Sequence, residues 1–271
     1  MSSTNQYLLQ LRKTGDRLLL AVIAVMFAVS LALAHWYGTW VEAFTIGAPT
    51  VGVSLWMALA LPGSLVARCT IAAALMVMTA LQIHQTHGMI ETHFAVFVLM
   101  SCLLFYRDWI PVVVAASVIA VHHLAFDFLQ RRGFDVWVFA LNTGFEIVLV
   151  HAVYVIFESV LLIWMALKLR AEINAVGSEP LELARMARDI ARGNVQVEIP
   201  IDGASPASLA CAMADMREEL KRTVHDTGGV LQSVAAGNLS RRVVVEAPGE
   251  FGRLKDHVNV TLNFLSDFSH K

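Results

Sequence analysis

Before Lys168 the chain is a series of apolar runs long enough to cross a bilayer, and that pattern leaves little freedom of fold. A hydrocarbon core of roughly 30 Å takes about 20 helical residues, and a helix satisfies its own backbone polar groups there. We read six spans: Leu18–Tyr37, Ile46–Ala67, Cys69–Gly88, Met89–Tyr106, Ile110–Leu129 and Phe145–Leu167. The expected fold is an all-α membrane protein, with a six-helix bundle over residues 18–168 after a cytoplasmic segment, 1–17. Composition agrees: 15% of the residues are charged, where ordinary soluble domains carry about 25%. The first run is too long for a signal-peptide core, so it is expected to remain in the mature protein. A net charge of −2 carries no nucleic-acid footprint. Cys69, Cys102 and Cys211 have no metal or redox spacing.

Basic residues orient the spans. Arg12, Lys13 and Arg17 precede the first, Arg68 separates the second from the third, and Arg107 the fourth from the fifth. Lys168 and Arg170 follow the sixth. With six crossings all of these lie on one side, so both termini are expected in the cytoplasm. Arg131 and Arg132 run against the trend, partly offset by Asp127 and Asp135.

Titratable side chains are expensive in a membrane and usually mark a function there. The segment His84-Gln-Thr-His-Gly-Met-Ile-Glu-Thr-His-Phe94 joins the third and fourth spans, and further histidines stand at 122, 123 and 151. Counted from each span's basic or tryptophan anchor at 1.5 Å per residue, His84, His93, His123 and His151 fall roughly 20–25 Å along their spans. A lone membrane histidine often only hydrogen-bonds a neighbouring helix. Four spans placing one at a common depth point instead to a shared site. His122 and His123 point about 100° apart on a helix, so at most one of them faces a given centre. His35, beside Trp36, reads as an interfacial residue.

The expected cofactor-binding residues are therefore His84, His93, His123 and His151. His87, Glu91 and His122 are added as candidate metal ligands, since His84 and His87 share a helix face and Glu91 supplies an anion. Copper or zinc suits such ligands. Haem b ranks slightly ahead, because the porphyrin dianion neutralises ferrous iron and two histidines complete its axial positions. Ala80, Gly88, Ala95, Ala116, Ala120 and Ala152 are small enough for a flat macrocycle to pass between helices. Glu146 and Glu158 add polar positions to the last span, with Glu158 on the face of His151.

Charges dominate after Lys168, although no helix breaker interrupts the run from the sixth span to Arg170-Ala-Glu-Ile173. Pro180 opens an amphipathic helix with Leu183, Met186, Ala187 and Ile190 on one stripe, and Gly193 closes it. Alternating Val195, Val197 and Ile199 form an extended piece, followed by a helix from Ser208 to Val224. This unit resembles a HAMP domain, a parallel four-helix dimer that relays signals below bacterial receptors. A second copy repeats the Ala-x-Gly-Asn turn around Gly237 and adds Glu250-Phe-Gly252 before a helix from Arg253 to Phe268. That copy is similar to the segment feeding the signalling hairpin of methyl-accepting chemotaxis receptors. The histidine set, with Tyr106-Arg-Asp-Trp109, resembles the multi-span input region of some such receptors and of cyclic-dinucleotide synthases.

The resemblance implies tandem HAMP units at 169–224 and 225–271 in a homodimer embedded in membrane lipids of the bacterial inner membrane. It also implies an output segment after Lys271 that meets downstream chemotaxis proteins. No Walker A loop, nucleophile elbow or kinase signature is present, so a receptor and not an enzyme is expected. The alternatives are a b-type cytochrome or quinone-linked electron carrier and, third, a metal transporter.

Overall fold

The computed structural model describes residues 3–140, 145–246 and 248–269, and no strand occurs among them. The chain divides into two compact units, 5–173 and 174–271 with the first four residues.

The first unit contains α1 (Ser3–Tyr37), α2 (Trp40–Ala60), α3 (Leu65–Gln85), α4 (Ile90–Tyr106), α5 (Ile110–Arg131) and most of α6 (Phe145–Val176). Five of these are long and apolar enough to cross a membrane, and α4 is a shorter apolar helix. Six full-length spans were expected. A left-handed residue at each end (Gly88 at φ +74° and Arg107 at φ +50°) is what confines α4, and its last turn tightens to 3-10 at Leu103–Tyr106.

The break between α2 and α3 also lies earlier than the sequence suggested. Pro62 and Gly63 stop α2 at Ala60, and the Ser64 hydroxyl caps α3 by accepting from the Ala67 amide. The long apolar run had hidden this turn. Helix α1 begins at Ser3, well before the apolar run it carries.

Helix α3 is the centre of the unit. Of its most apolar window 61% is buried, against 28% for α1 and for α5. Ile71, Leu75 and Met78 pack against Leu19 and Ile23 of α1, Met100 of α4 and Ile119 of α5. Polar ties fasten both ends. At one end the Ser30 hydroxyl donates to the Gln85 amide oxygen at 2.8 Å, and the Gln85 amide donates to Thr39 Oγ1 at 2.9 Å. At the other, buried Asp16 accepts from the Gly63 amide at 2.6 Å and from the Tyr106 hydroxyl at 2.9 Å.

In the second unit Gly177 (φ +82°) ends α6 and Pro180 opens α7 (Pro180–Ala191). Leu183 and Ile190 on its stripe bury against Ile199 and against Ala210 and Ala214 of α8 (Leu209–Ala235). The sequence pattern placed the end of that helix at Val224. The helix continues to Ala235, because no capping glycine or proline interrupts it and Val230 finds its own core with Val243 and Leu262 of α9 (Glu250–Ser269).

The turn after α7 recurs bond for bond after α8. The Gly193 and Gly237 amides donate to the Ile190 and Val234 carbonyls at 2.9 Å, and Asn194 and Asn238 donate to Asp189 and Ser233 at 3.0 Å. Both glycines are left-handed, at φ +90° and +84°. Each asparagine side chain then accepts from an amide two residues on, at Gln196 and Ser240. This is a Schellman closure followed by an Asx turn.

Candidate functional site

Three of the four expected cofactor histidines meet. His93 of α4, His123 of α5 and His151 of α6 have ring centroids 5.4, 5.5 and 5.8 Å apart. Each holds its ring the same way, with Nδ1 at 3.0, 3.0 and 2.8 Å from the carbonyl four residues earlier on its own helix: Met89, Ile119 and Ile147. A carbonyl only accepts, so Nδ1 carries the proton and a neutral ring keeps its lone pair on Nε2. Metal-binding imidazoles commonly have their tautomer fixed in this way. His93 is 3% exposed and its Nε2 is buried without a hydrogen bond, although the Val138 carbonyl faces the same ring.

The segment between α5 and α6 closes over the cluster. Gln130 accepts from the Val138 and Phe139 amides at 2.9 and 3.3 Å and donates to the Phe139 carbonyl at 2.8 Å. The Trp137 amide donates to His84 Nδ1 at 3.1 Å. Phe139 is thereby stacked on His93, with centroids 5.8 Å apart and planes at 6°, and lies 6.0 and 5.2 Å from His123 and His151. Sequence reading missed Phe139, since its short loop has no periodicity. The only cue was Gln130, a polar residue at the end of an apolar run.

The remaining candidates stand outside this group. His84 serves as an anchor for the closing segment. His87, exposed and left-handed at φ +53°, stacks edge-on with Tyr37 and Trp137. Glu91 is exposed in the first turn of α4. His122 does not alternate with His123: both are buried, and His122 turns toward Phe126 at 4.3 Å with neither ring nitrogen hydrogen-bonded. A buried orphan of this kind requires a physical explanation. Glu146 is exposed, and Glu158 is partly buried with Oε2 unpartnered.

A cavity of about 370 Å³ between α4, α5 and α6 is lined by the three clustered histidines, by Ser117 and Ser159 and otherwise by apolar side chains. Ala116, Ala120 and Ala152 line it, while Gly88 packs against the Phe139 backbone instead. Three imidazoles sharing one ion at about 2.0–2.1 Å would set their centroids roughly 5 Å apart, close to the spacing here. As placed, no three His, Cys, Asp or Glu side chains among the described residues converge on a single ion position. A haem between two of these rings would have to find room beside Phe139, which lies 5.2–6.0 Å from all three.

Comparison with known families bears on the second unit. Residues 225–263 match the HAMP domain model. No curated protein and no solved structure matches the chain. The HAMP segment contains the end of α8, the second Schellman turn and most of α9. Its connector is pinned on both sides: Asn259 exchanges two hydrogen bonds with the Val243 backbone at 2.9 and 3.0 Å, and Asp226 accepts from Val244 and Val245 at 2.8 Å. HAMP domains occur in dimeric signalling receptors. A HAMP domain joined to several membrane-length apolar helices fits a multi-pass membrane protein that transduces a signal.

Proposed function

We propose that the protein is a chemotaxis-type transmembrane receptor whose input is a metal ion held by His93, His123 and His151. The observation that carries this reading is the meeting of three histidines from three helices, each with Nδ1 tied to a carbonyl of its own helix. Neutral imidazoles held in this way suit copper or zinc. Binding draws the three Nε2 atoms together and so pulls α6 toward α4 and α5. Helix α6 continues without a break from His151 to Val176, which makes it the element that carries the displacement onward. Haem b in the adjoining cavity, held by one of these histidines, is the second reading, favoured by the cavity's size and apolar walls. The position of Phe139 ranks it behind a bare ion.

The topology that goes with this function has six crossings, with α4 as the short one, both termini cytoplasmic and the bundle in the bacterial inner membrane. Two HAMP units in series form the relay, and the repeated turn at Gly193 and Gly237 supports the first of them. A homodimer is implied, with the output passed to chemotaxis proteins. A b-type cytochrome or quinone-linked carrier would also use membrane histidines, but it has no role for a HAMP domain.

Protein purified from cells supplied with copper, zinc and haem tests the site. About one equivalent of copper or zinc per chain is expected. His123→Ala should weaken retention by more than the roughly 10–100-fold that loss of an outer partner costs. A Soret band would select haem, and protein with neither metal nor haem would remove the cluster as a metal site. The relay has its own check. Cysteines at Ile190 or at Val234, equivalent positions in the two turns, should crosslink two chains at both sites. Crosslinking at Val234 alone would leave a single HAMP unit.

A further inference from the structure

The Tyr106-Arg-Asp-Trp109 motif takes no part in the histidine site, yet it organises the opposite end of the bundle. Tyr106 donates to Asp16 of α1. Asp108 accepts from the Ile110 amide at 3.1 Å, which starts α5, and pairs with Arg68 of α3 at 2.5 Å. Arg12 of α1 reaches the same Asp108 oxygen from 3.5 Å. Arg107, left-handed at φ +50°, donates to the Leu169 carbonyl of α6 at 3.5 Å, one residue before Arg170. Arg12 lies in the field of both Arg68 and Arg170.

Charge at this end is out of balance. Arg12 and Arg68 share Asp108, Arg107 reaches the Leu169 carbonyl beside Arg170, and Asp16, 2% exposed, has its two oxygens occupied by Gly63 and Tyr106. Asp108 is committed most closely to Arg68. Arg12 is only 18% exposed and buries its Nε without a partner. Crowded, half-desolvated guanidiniums with an unpaired donor suit a tetrahedral oxyanion, which arginine forks bind in bidentate fashion. The same residues flank the apolar runs of α1, α4 and α6, where basic side chains meet lipid phosphates.

We propose that Arg12, Arg107 and Arg170 bind one phosphate of an anionic phospholipid and thereby clamp α6, through its Arg170 turn, to α1 and to the Tyr106–Trp109 turn. This site is independent of the histidine cluster and of the metal assigned to it. Occupied, it restrains the helix that leads out of the bundle. Empty, it leaves like charges to push that helix away.

The full chain in nanodiscs or detergent provides the test, with native mass spectrometry as readout. The wild type should retain one phosphatidylglycerol per chain in preference to phosphatidylcholine. Each guanidinium near a membrane surface is worth roughly fivefold in anionic-lipid affinity, so Arg12→Gln with Arg170→Gln should weaken retention about 30-fold. Equal retention of both lipids by the wild type overturns the proposal without recourse to any variant. So does a folded double variant that keeps the wild-type preference. Displacement of the lipid by millimolar inorganic phosphate would make the ligand a free phosphate and overturn the lipid assignment. Persistence of the lipid under that challenge supports it.

Discussion

Replacing Asp108 by alanine should destabilise the membrane unit by roughly 3–5 kcal/mol, the usual cost of leaving one member of a buried ion pair alone. Arg68 is 4% exposed and pairs with Asp108 at 2.5 Å, so its guanidinium cannot turn to water when the carboxylate is lost. The start of α5 also loses the bond from the Ile110 amide. Arg68→Ala in the Asp108→Ala background should restore part of the loss, because it removes the stranded charge. Reversible unfolding in mixed micelles, followed as a double-mutant cycle, measures both effects. If the double variant is no more stable than Asp108→Ala alone, the pair is not what secures this end.

Gly88→Val should detach the closing segment from the histidine cluster. A Cβ at this position would overlap the Phe139 carbonyl carbon and stand 2.6 Å from its Cα, both of them backbone atoms that cannot rotate away. The residue is also left-handed at φ +74°, which costs an L side chain about 1–2 kcal/mol before any overlap. Phe139 must then retreat from His93. Retention of the metal proposed for the cluster should fall, and amide exchange over residues 134–140 should rise. Gly133 is the control: it is left-handed at φ +84°, but nothing lies within 4 Å of its Cβ position. Gly133→Ala should show the backbone cost and leave the ligand in place. Equal effects from the two would mean that the contact with Phe139 is not decisive.

The helices of this protein were largely legible because long apolar runs and amphipathic stripes are local signals. Pro180, Gly193 and Gly237 punctuate the second unit where the sequence pattern placed them, since a capping glycine acts on its own neighbours. The break at Pro62–Gly63 was not seen, because Leu61 and Leu65 continue the apolar run on either side and conceal a turn that Ser64 and Asp16 complete. The histidine cluster was legible to within a face. Counting along helices brought His93, His123 and His151 to one level, but rotation about each axis is set by packing. That is why His84 ended as an anchor for Trp137 and why His122 turned to Phe126. Phe139 was beyond reach, as its place depends on Gln130 and Gly88 acting from two different helices.

Helix α8 serves the core built on Leu183 and Ile190 at one end and the core built on Val230 and Leu262 at the other. Its 27 residues make a rod of roughly 40 Å that stays helical through Gly228 and Gly229. A flexible joint would let each core choose its packing separately and absorb part of any movement between them. A shared rod removes that slack: a quarter-turn at its first residue is a quarter-turn at its last. The two cores are then two ends of a single crankshaft, joined by unbroken helix.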